Sequence, residues 1–256
     1  MEPTASWRRS VAERPLEGRR IVVTRVREQS QPLAEALERL GARVAVVPLI
    51  GIEPAEGLES TTGPFEDYDW VVFTSANGVT AVRDRLAEAG IDGVKVAAVG
   101  PATAEAARRL GVEPSFVPQR YAANEIAAGL EPLEEARVLL PQADIASPRL
   151  AEELRRRGAI VDAIAAYRTI AIEPTSSGLS ALMRADAVVL ASGSAARSFA
   201  AWVGRDGGER ALLVCIGSTT AEAAREVGLP VGLVADEATS GGIIRALVAH
   251  FGEKRR

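Results

Sequence analysis

Six stretches of this sequence place small, polar or hydroxyl-bearing residues directly after an apolar run. They are Thr24-Arg25, Thr74-Ser75-Ala76-Asn77-Gly78, Gly100-Pro101-Ala102-Thr103, Pro141-Gln142, Ser192-Gly193-Ser194-Ala195 and Gly217-Ser218-Thr219-Thr220. Each leads into a segment of helical character. The free N–H groups and positive dipole end of a helix attract anions there. Taken singly, each loop has an ordinary explanation: Ser, Thr and Asn are common N-caps, and Gly100 and Gly217 suit tight strand-to-helix turns. Taken together, Thr74, Ser75, Asn77, Gly100, Thr103, Ser192, Ser194, Gly217, Ser218 and Thr219 form a candidate set for an anionic ligand, with Arg25 as a cation beside them. Arg149, in the first turn of another helix, is a surface cation or a bidentate partner for a carboxylate. No acid–base pair, nucleophile–base pair or metal cluster can be assembled. A catalyst built this way works by holding a reactive substrate in shape.

The chain also repeats itself at an offset of 117 residues. Val71-Val72-Phe73 returns as Val188-Val189-Leu190, and Thr103-Ala104-Glu105-Ala106-Ala107-Arg108 returns as Thr220-Ala221-Glu222-Ala223-Ala224-Arg225. Gly41 and Gly158 share a register, as do Gly111 and Gly228. A unit of this length is a domain rather than a solenoid module, so two similar folds with a cleft between them are expected. Positions that break the repeat are candidates for handling an asymmetric ligand. Arg25 aligns with Gln142, Asn77 with Ser194, Tyr121 with Ala238, and Tyr167 with Ile50. Tyr167 is either a packing aromatic or a ligand contact.

The elements that must position these residues alternate regularly. Short unbroken apolar runs such as Ile21–Thr24, Val44–Val47, Trp70–Phe73 and Val96–Val99 read as buried strands, and Ser115–Val117 reads as a fifth. Helices opening at Ser30 and Pro32, running from Val79 to Leu86, and spanning Ala102–Leu110 separate them. The second copy runs the same way from Val138. Strands of this kind, each followed by a helix, make parallel sheets covered on both faces. The reading is α/β, a doubly wound flavodoxin-like unit twice over. The boundary has two solutions: a tandem cut near Glu134, or a crossing in which Ile50–Pro54 and Ile170–Pro174, both ending in Glu-Pro, pass between domains together.

Composition excludes several classes. The chain has 30 basic and 34 acidic residues, a net charge of −4, and no basic stripe interleaved with aromatics, so a nucleic-acid partner is not expected. One cysteine, Cys215, sits in an apolar run, which fits a buried thiol in a reducing cytoplasm. One histidine, His250, makes zinc chemistry improbable. No run approaches the ~18 apolar residues of a membrane span, and the charged N-terminus, with Trp7-Arg8-Arg9, lacks a signal-peptide core. No phosphate-loop signature is present, which weighs against a nucleotide-dependent enzyme.

The stretches Ile21–Arg25, Val72–Asn77, Val99–Ala104, Arg149–Gly158, Ala166–Thr169 and Ile216–Ala221, in this order and spacing, resemble the uroporphyrinogen-III synthase family. The resemblance runs from about Arg19 to Phe251. It implies two flavodoxin-like domains joined by a two-stranded linker: residues 1–18 a disordered extension, 19–49 plus 172–256 a discontinuous domain, 54–166 the second domain, and 50–53 and 167–171 the linkers. It implies cyclisation of hydroxymethylbilane, a linear tetrapyrrole of the haem pathway, with loss of water and inversion of ring D and with no metal or organic cofactor. The chain itself reads as a cytoplasmic monomer whose charged start, Trp7-Arg8-Arg9, is either disordered or docks a neighbouring pathway enzyme, such as the preceding one. By similarity, Thr103, Tyr167, Ser194 and Thr219 fall at positions linked to substrate binding, with Tyr167 assisting departure of the hydroxyl. Arg25 and Arg149 match basic positions. Gln142 departs from the basic residue common there. The competing reading is a two-domain module that binds a small anion without turnover.

Overall fold

The computed structural model describes residues 14–55, 64–89, 93–119 and 123–253. In chain order its elements begin with β1 (Arg20–Val23), α1 (Arg27–Arg39), β2 (Arg43–Val46), β3 (Ile50–Pro54), β4 (Trp70–Phe73), α2 (Ala76–Ala81), α3 (Arg83–Ala89), β5 (Lys95–Ala98), α4 (Pro101–Arg109) and α5 (Ala123–Gly129). They continue with β6 (Arg137–Ala143), α6 (Arg149–Arg156), β7 (Ile160–Ala171), α7 (Ser176–Met183), β8 (Ala187–Leu190), α8 (Gly193–Arg210), β9 (Leu212–Cys215), α9 (Ser218–Glu226), β10 (Val231–Val234) and α10 (Ser240–Glu253). The chain divides into two compact units. The first runs to Gly51 and resumes at Ala171, and the second is Ile52–Ile170.

In the first unit the sheet order is β10-β9-β8-β1-β2, every neighbouring pair parallel. Counted within the unit and read from the β2 edge, this is 2-1-3-4-5, the flavodoxin-like order. One face buries Val22, Val188, Leu190, Leu213 and Cys215 against Phe199 and Leu182. The other buries Ile21, Val23, Val189 and Val214 against Leu33, Leu37, Ile243 and Leu247. The central strands β8 and β9 are apolar at every position because each face is roofed by helices.

In the second unit the order is β3-β7-β6-β4-β5. Numbered from β6, the parallel strands β7-β6-β4-β5 again read 2-1-3-4. The expected fifth strand at Ser115–Val117 is reduced to a single parallel bridge between Phe116 and Ala97. On the outer edge β3 lies beside β7. The Ala55 N–H donates to Ala166 O and the Ile172 N–H to Leu49 O, so these two strands run antiparallel. Both passages of the chain from one unit to the other lie within this strand pair.

The sequence copies and the folded units therefore have different boundaries. The 117-residue offset carries β4 onto β8, β5 onto β9 and α4 onto α9, end for end, and β1 onto the first four residues of β6. Yet the first unit takes its first two strands from the first copy and the rest from the second, and the second unit does the reverse.

Three local expectations change. α1 begins at Arg27, ahead of Ser30 and Pro32. Ser30 is buried, and its hydroxyl meets the carbonyls of Arg25 and Val26, each at 3.0 Å, which closes a turn before the proline. The helix expected from Val79 to Leu86 is two helices meeting at Val82, which leaves the helical region (φ −105°, ψ 9°) and keeps Val79, Val82 and Leu86 buried. The loose extension expected over residues 1–18 is tied down from Arg14 onward. Leu16 is fully buried, its N–H donates to Leu40 O, and the Gly18 N–H donates to Gly41 O. Residues 1–13 and Tyr121 lie outside the described residues. Gly41 accepts that turn because it is left-handed (φ 97°) and lacks a side chain: a Cβ there would stand 2.9 Å from Glu17 Cα. Its counterpart Gly158 (φ 92°) ends α6 in the same way against Glu134.

Two predictions arise from this packing. Cys215 is fully buried, and burial pushes its thiol up to about 11. Iodoacetamide at pH 8 is expected to leave the native protein unlabelled and to label it in denaturant; rapid native labelling would refute the packing of β9. Arg20 donates to Asp186 through its guanidinium (3.0 and 3.2 Å) and its backbone N–H (2.7 Å), which hold that carboxyl below the usual carboxylate range. A carboxyl depressed on folding stabilises the native state above the unfolded value near 4 and ceases to do so as pH falls through the folded value. Asp186→Asn is expected to lower Tm at pH 7, and the difference from the unsubstituted protein is expected to shrink in melts taken below about pH 4.

Candidate functional site

In each unit the flagged residues stand where parallel strands give way to helices, the edge at which open α/β sheets take ligands. In the first unit Arg25 follows β1, Ser192 and Ser194 follow β8, and Gly217, Ser218 and Thr219 follow β9. Backbone bonds hold these ends level: the Thr24 N–H donates to Val189 O and the Ile216 N–H to Leu190 O. Thr24 is itself fully buried and its hydroxyl donates to Val189 O at 2.8 Å. In the second unit Thr74, Ser75 and Asn77 follow β4, Gly100 and Thr103 follow β5, Arg149 opens α6 after β6 with its side chain exposed, and Tyr167 lies on β7.

The helix starts differ in what they offer. The Ser75 hydroxyl accepts the Gly78 N–H (3.0 Å) and the Ser192 hydroxyl accepts the Ala195 N–H (3.1 Å). These two serines, equivalent in the repeat, are N-caps. α4 and α9 are instead capped by Gly100 and Gly217, with no side-chain bond, and their first intrahelical bonds run from Ala104 and Ala221. Their first-turn donors are left for other partners. Pro101 removes one donor at the start of α4, whereas Ser218 keeps it at the start of α9.

Tyr167 is brought together with Ser75 and Asn77. Its hydroxyl meets the Ser75 Oγ at 2.8 Å and also bonds Asn77, so the β7 side chain reaches past β6 to the end of β4. The residue is 6% exposed and packs with Phe73, Val79, Ile164 and Ala166. Burial raises its pKa above the ordinary tyrosine value; the bonds from Ser75 and Asn77 oppose the shift and the charge of nearby Asp144 adds to it. The phenol is thus a neutral hydrogen-bond donor near pH 7. Either hydroxyl can donate in the Ser75–Tyr167 contact; when Ser75 donates, the phenolic O–H is available to a ligand.

Arg25 is half-buried, and its Nε donates to Gln29 Oε1 at 2.6 Å. Desolvation alone pushes its pKa down from the arginine value. Three features escaped the sequence reading: Gln29, the Ser75–Tyr167 contact and the charge of Asp144. The Arg25–Gln29 pair has helical i, i+4 spacing and could have been found had α1 been started at Arg27. Among the described residues no group of carboxylate, histidine and cysteine side chains could hold a metal ion.

The comparisons with known proteins agree with this architecture. The family model described as Uroporphyrinogen-III synthase HemD matches residues 31–245. The chain is similar to the porphyrin biosynthesis protein HemD of Ruminiclostridium josui, with 30% identity over 92% of this chain and 49% of that protein. It is also similar to the uroporphyrinogen-III synthase of Synechococcus elongatus, with 31% identity over 62% of this chain and 64% of that protein. It thus spans about half the length of the first relative and just under two thirds of the second. In fold it resembles a mutant uroporphyrinogen III synthase of Thermus thermophilus, with TM-score 0.62 and 19% identity over 93% of this chain and 100% of that one. The uroporphyrinogen-III synthetase of Helicobacter pylori gives TM-score 0.63 and 19% identity over 89% and 97%. With the family model covering most of its length and the same two-unit α/β architecture behind it, the chain belongs to the uroporphyrinogen-III synthase family.

Proposed function

We propose that this chain cyclises hydroxymethylbilane to uroporphyrinogen III, a hydro-lyase reaction with inversion of ring D. The observation that carries the reading is the family match over residues 31–245 on a fold whose strand ends carry donors in both units. Arg25, Thr74, Ser75, Asn77, Gly100, Thr103, Arg149, Ser192, Ser194, Gly217, Ser218 and Thr219 receive the substrate's carboxylates and pyrrole edges. Arginine and first-turn N–H groups suit carboxylates. Tyr167 is positioned by Ser75 to donate to the hydroxymethyl oxygen as the C–O bond breaks, and the hydroxide departs as water. The resulting azafulvene-type cation is reactive by itself, so the protein's main task is to bring ring D onto ring A in the inverting arrangement. The free, buried thiol of Cys215 fits a reducing cytoplasm, and no described helix is long and apolar enough to cross a membrane. The same reading makes the protein a monomer that takes its substrate from the preceding pathway enzyme. Incubation with hydroxymethylbilane and chromatographic separation of the type I and type III products tests the assignment. An excess of type III is expected. Binding without acceleration would overturn it in favour of a small-anion binding module.

A further inference from the structure

We propose that Gln29 is a positioning residue that aims Arg25 at a substrate carboxylate; this rests on the reaction proposed above. A half-buried guanidinium is normally paired with a carboxylate, because desolvating an unpaired cation is costly. Among the described side chains no carboxylate pairs with Arg25. Its one polar side-chain partner there is the Gln29 amide, an uncharged acceptor, which binds Nε at 2.6 Å. Its two terminal nitrogens take no partner among the described side chains, so the planar fork that grips a carboxylate bidentately is left over. Burial is the sole cause moving its pKa, as expected for a cation whose counter-charge must come from a ligand.

The backbone of Arg25 is fixed as well. Ser30, fully buried in the same turn, bonds the Arg25 carbonyl at 3.0 Å, so residues four and five positions ahead hold the side chain and the main chain respectively. An uncharged acceptor suits this task, since a carboxylate at position 29 would neutralise the fork and compete with the substrate. The internal repeat gives an independent observation. In the second copy Arg25 is replaced by Gln142, and the position equivalent to Gln29 is Ala146. The cation and its holder are absent together.

The test uses the full chain with Gln29→Leu and Gln29→Glu, steady-state kinetics on hydroxymethylbilane, and Tm. Gln29→Leu is expected to raise KM about tenfold, the loss of one hydrogen bond to a charged group, with kcat within about twofold and Tm little changed. Gln29→Glu keeps the acceptor but supplies a rival anion; it is expected to raise Tm and KM together. KM unchanged in both variants while the unsubstituted protein turns over would overturn the role of Gln29 alone. Tm falling in both with KM unmoved would reduce Gln29 to a structural residue. No turnover by the unsubstituted protein would instead remove the reaction on which the inference rests.

Discussion

Tyr167→Ala is expected to cost about 3–5 kcal/mol of folding stability, the scale for removing a buried aromatic side chain, whereas Tyr167→Phe should cost only about 1 kcal/mol. The ring packs with Phe73, Val79 and Ile164, so its loss opens a cavity in the second unit. Phenylalanine keeps that packing and removes only the hydroxyl held by Ser75 and Asn77. The phenylalanine variant is therefore the informative one for chemistry. If the substrate loses its hydroxyl readily and the protein mainly controls its shape, kcat should fall by about tenfold or less. A dedicated general acid would account for roughly a hundredfold to ten-thousandfold. Urea denaturation measures the first effect and product formation at saturating substrate the second. A thousandfold drop in kcat for Tyr167→Phe with an unchanged denaturation midpoint would make the phenol an obligatory acid and overturn the conformational account.

The fold was readable from sequence because its strands are buried on both faces. Trp70–Phe73 and Ala187–Leu190 are apolar at every position and buried throughout, which no alternating strand would be. The repeat gave the element order, since a shift of 117 carries one set of strands and helices onto the other. The choice of partners was not readable, because an apolar run shows that a strand is buried but not against which neighbour. β1 pairs with β8, whose residues stand well over a hundred positions away, as in Ile21 with Ala187. Local signals also misplaced the start of α1: proline favours a first helical position, but the buried Ser30 hydroxyl closes a turn ahead of it.

Site residues were readable as members of strand-end loops and less so as partners. Ser75 and Tyr167 each stood out, one as a cap and one as a break in the repeat, yet 92 positions separate them and nothing local joins them. Gln29 was hidden by the misplaced helix start. The distinction between Ser75 and Ser192, whose hydroxyls serve as caps, and Gly100 and Gly217, whose helices keep open donors, rests on cap geometry that side-chain identity only half encodes.

Gly78→Ala is expected to lower stability by about 1–3 kcal/mol and to disturb the tyrosine site at the same time. A Cβ at Gly78 would stand 2.9 Å from the backbone carbonyl oxygen of Pro141, within β6, where no flexible side chain can move aside. The glycine's backbone is otherwise helical, so the effect is steric contact rather than a forbidden conformation. The repeat supplies the control: the equivalent residue in the first unit is Ala195, buried at 1% exposure, and the residue equivalent to Pro141 is Thr24. A methyl group is thus tolerated at the equivalent point of the first unit and excluded beside Pro141. Relief requires α2 to shift away from β6, carrying Ser75 and Asn77 off the Tyr167 hydroxyl. Gly78→Ala should therefore show both a lower Tm and a larger loss of kcat than Tyr167→Phe, while Ala195→Gly should lose the helix propensity of alanine and one buried methyl group, with kcat little changed. Equal kcat in Gly78→Ala and the unsubstituted protein would mean that the Ser75–Tyr167 contact has no bearing on turnover.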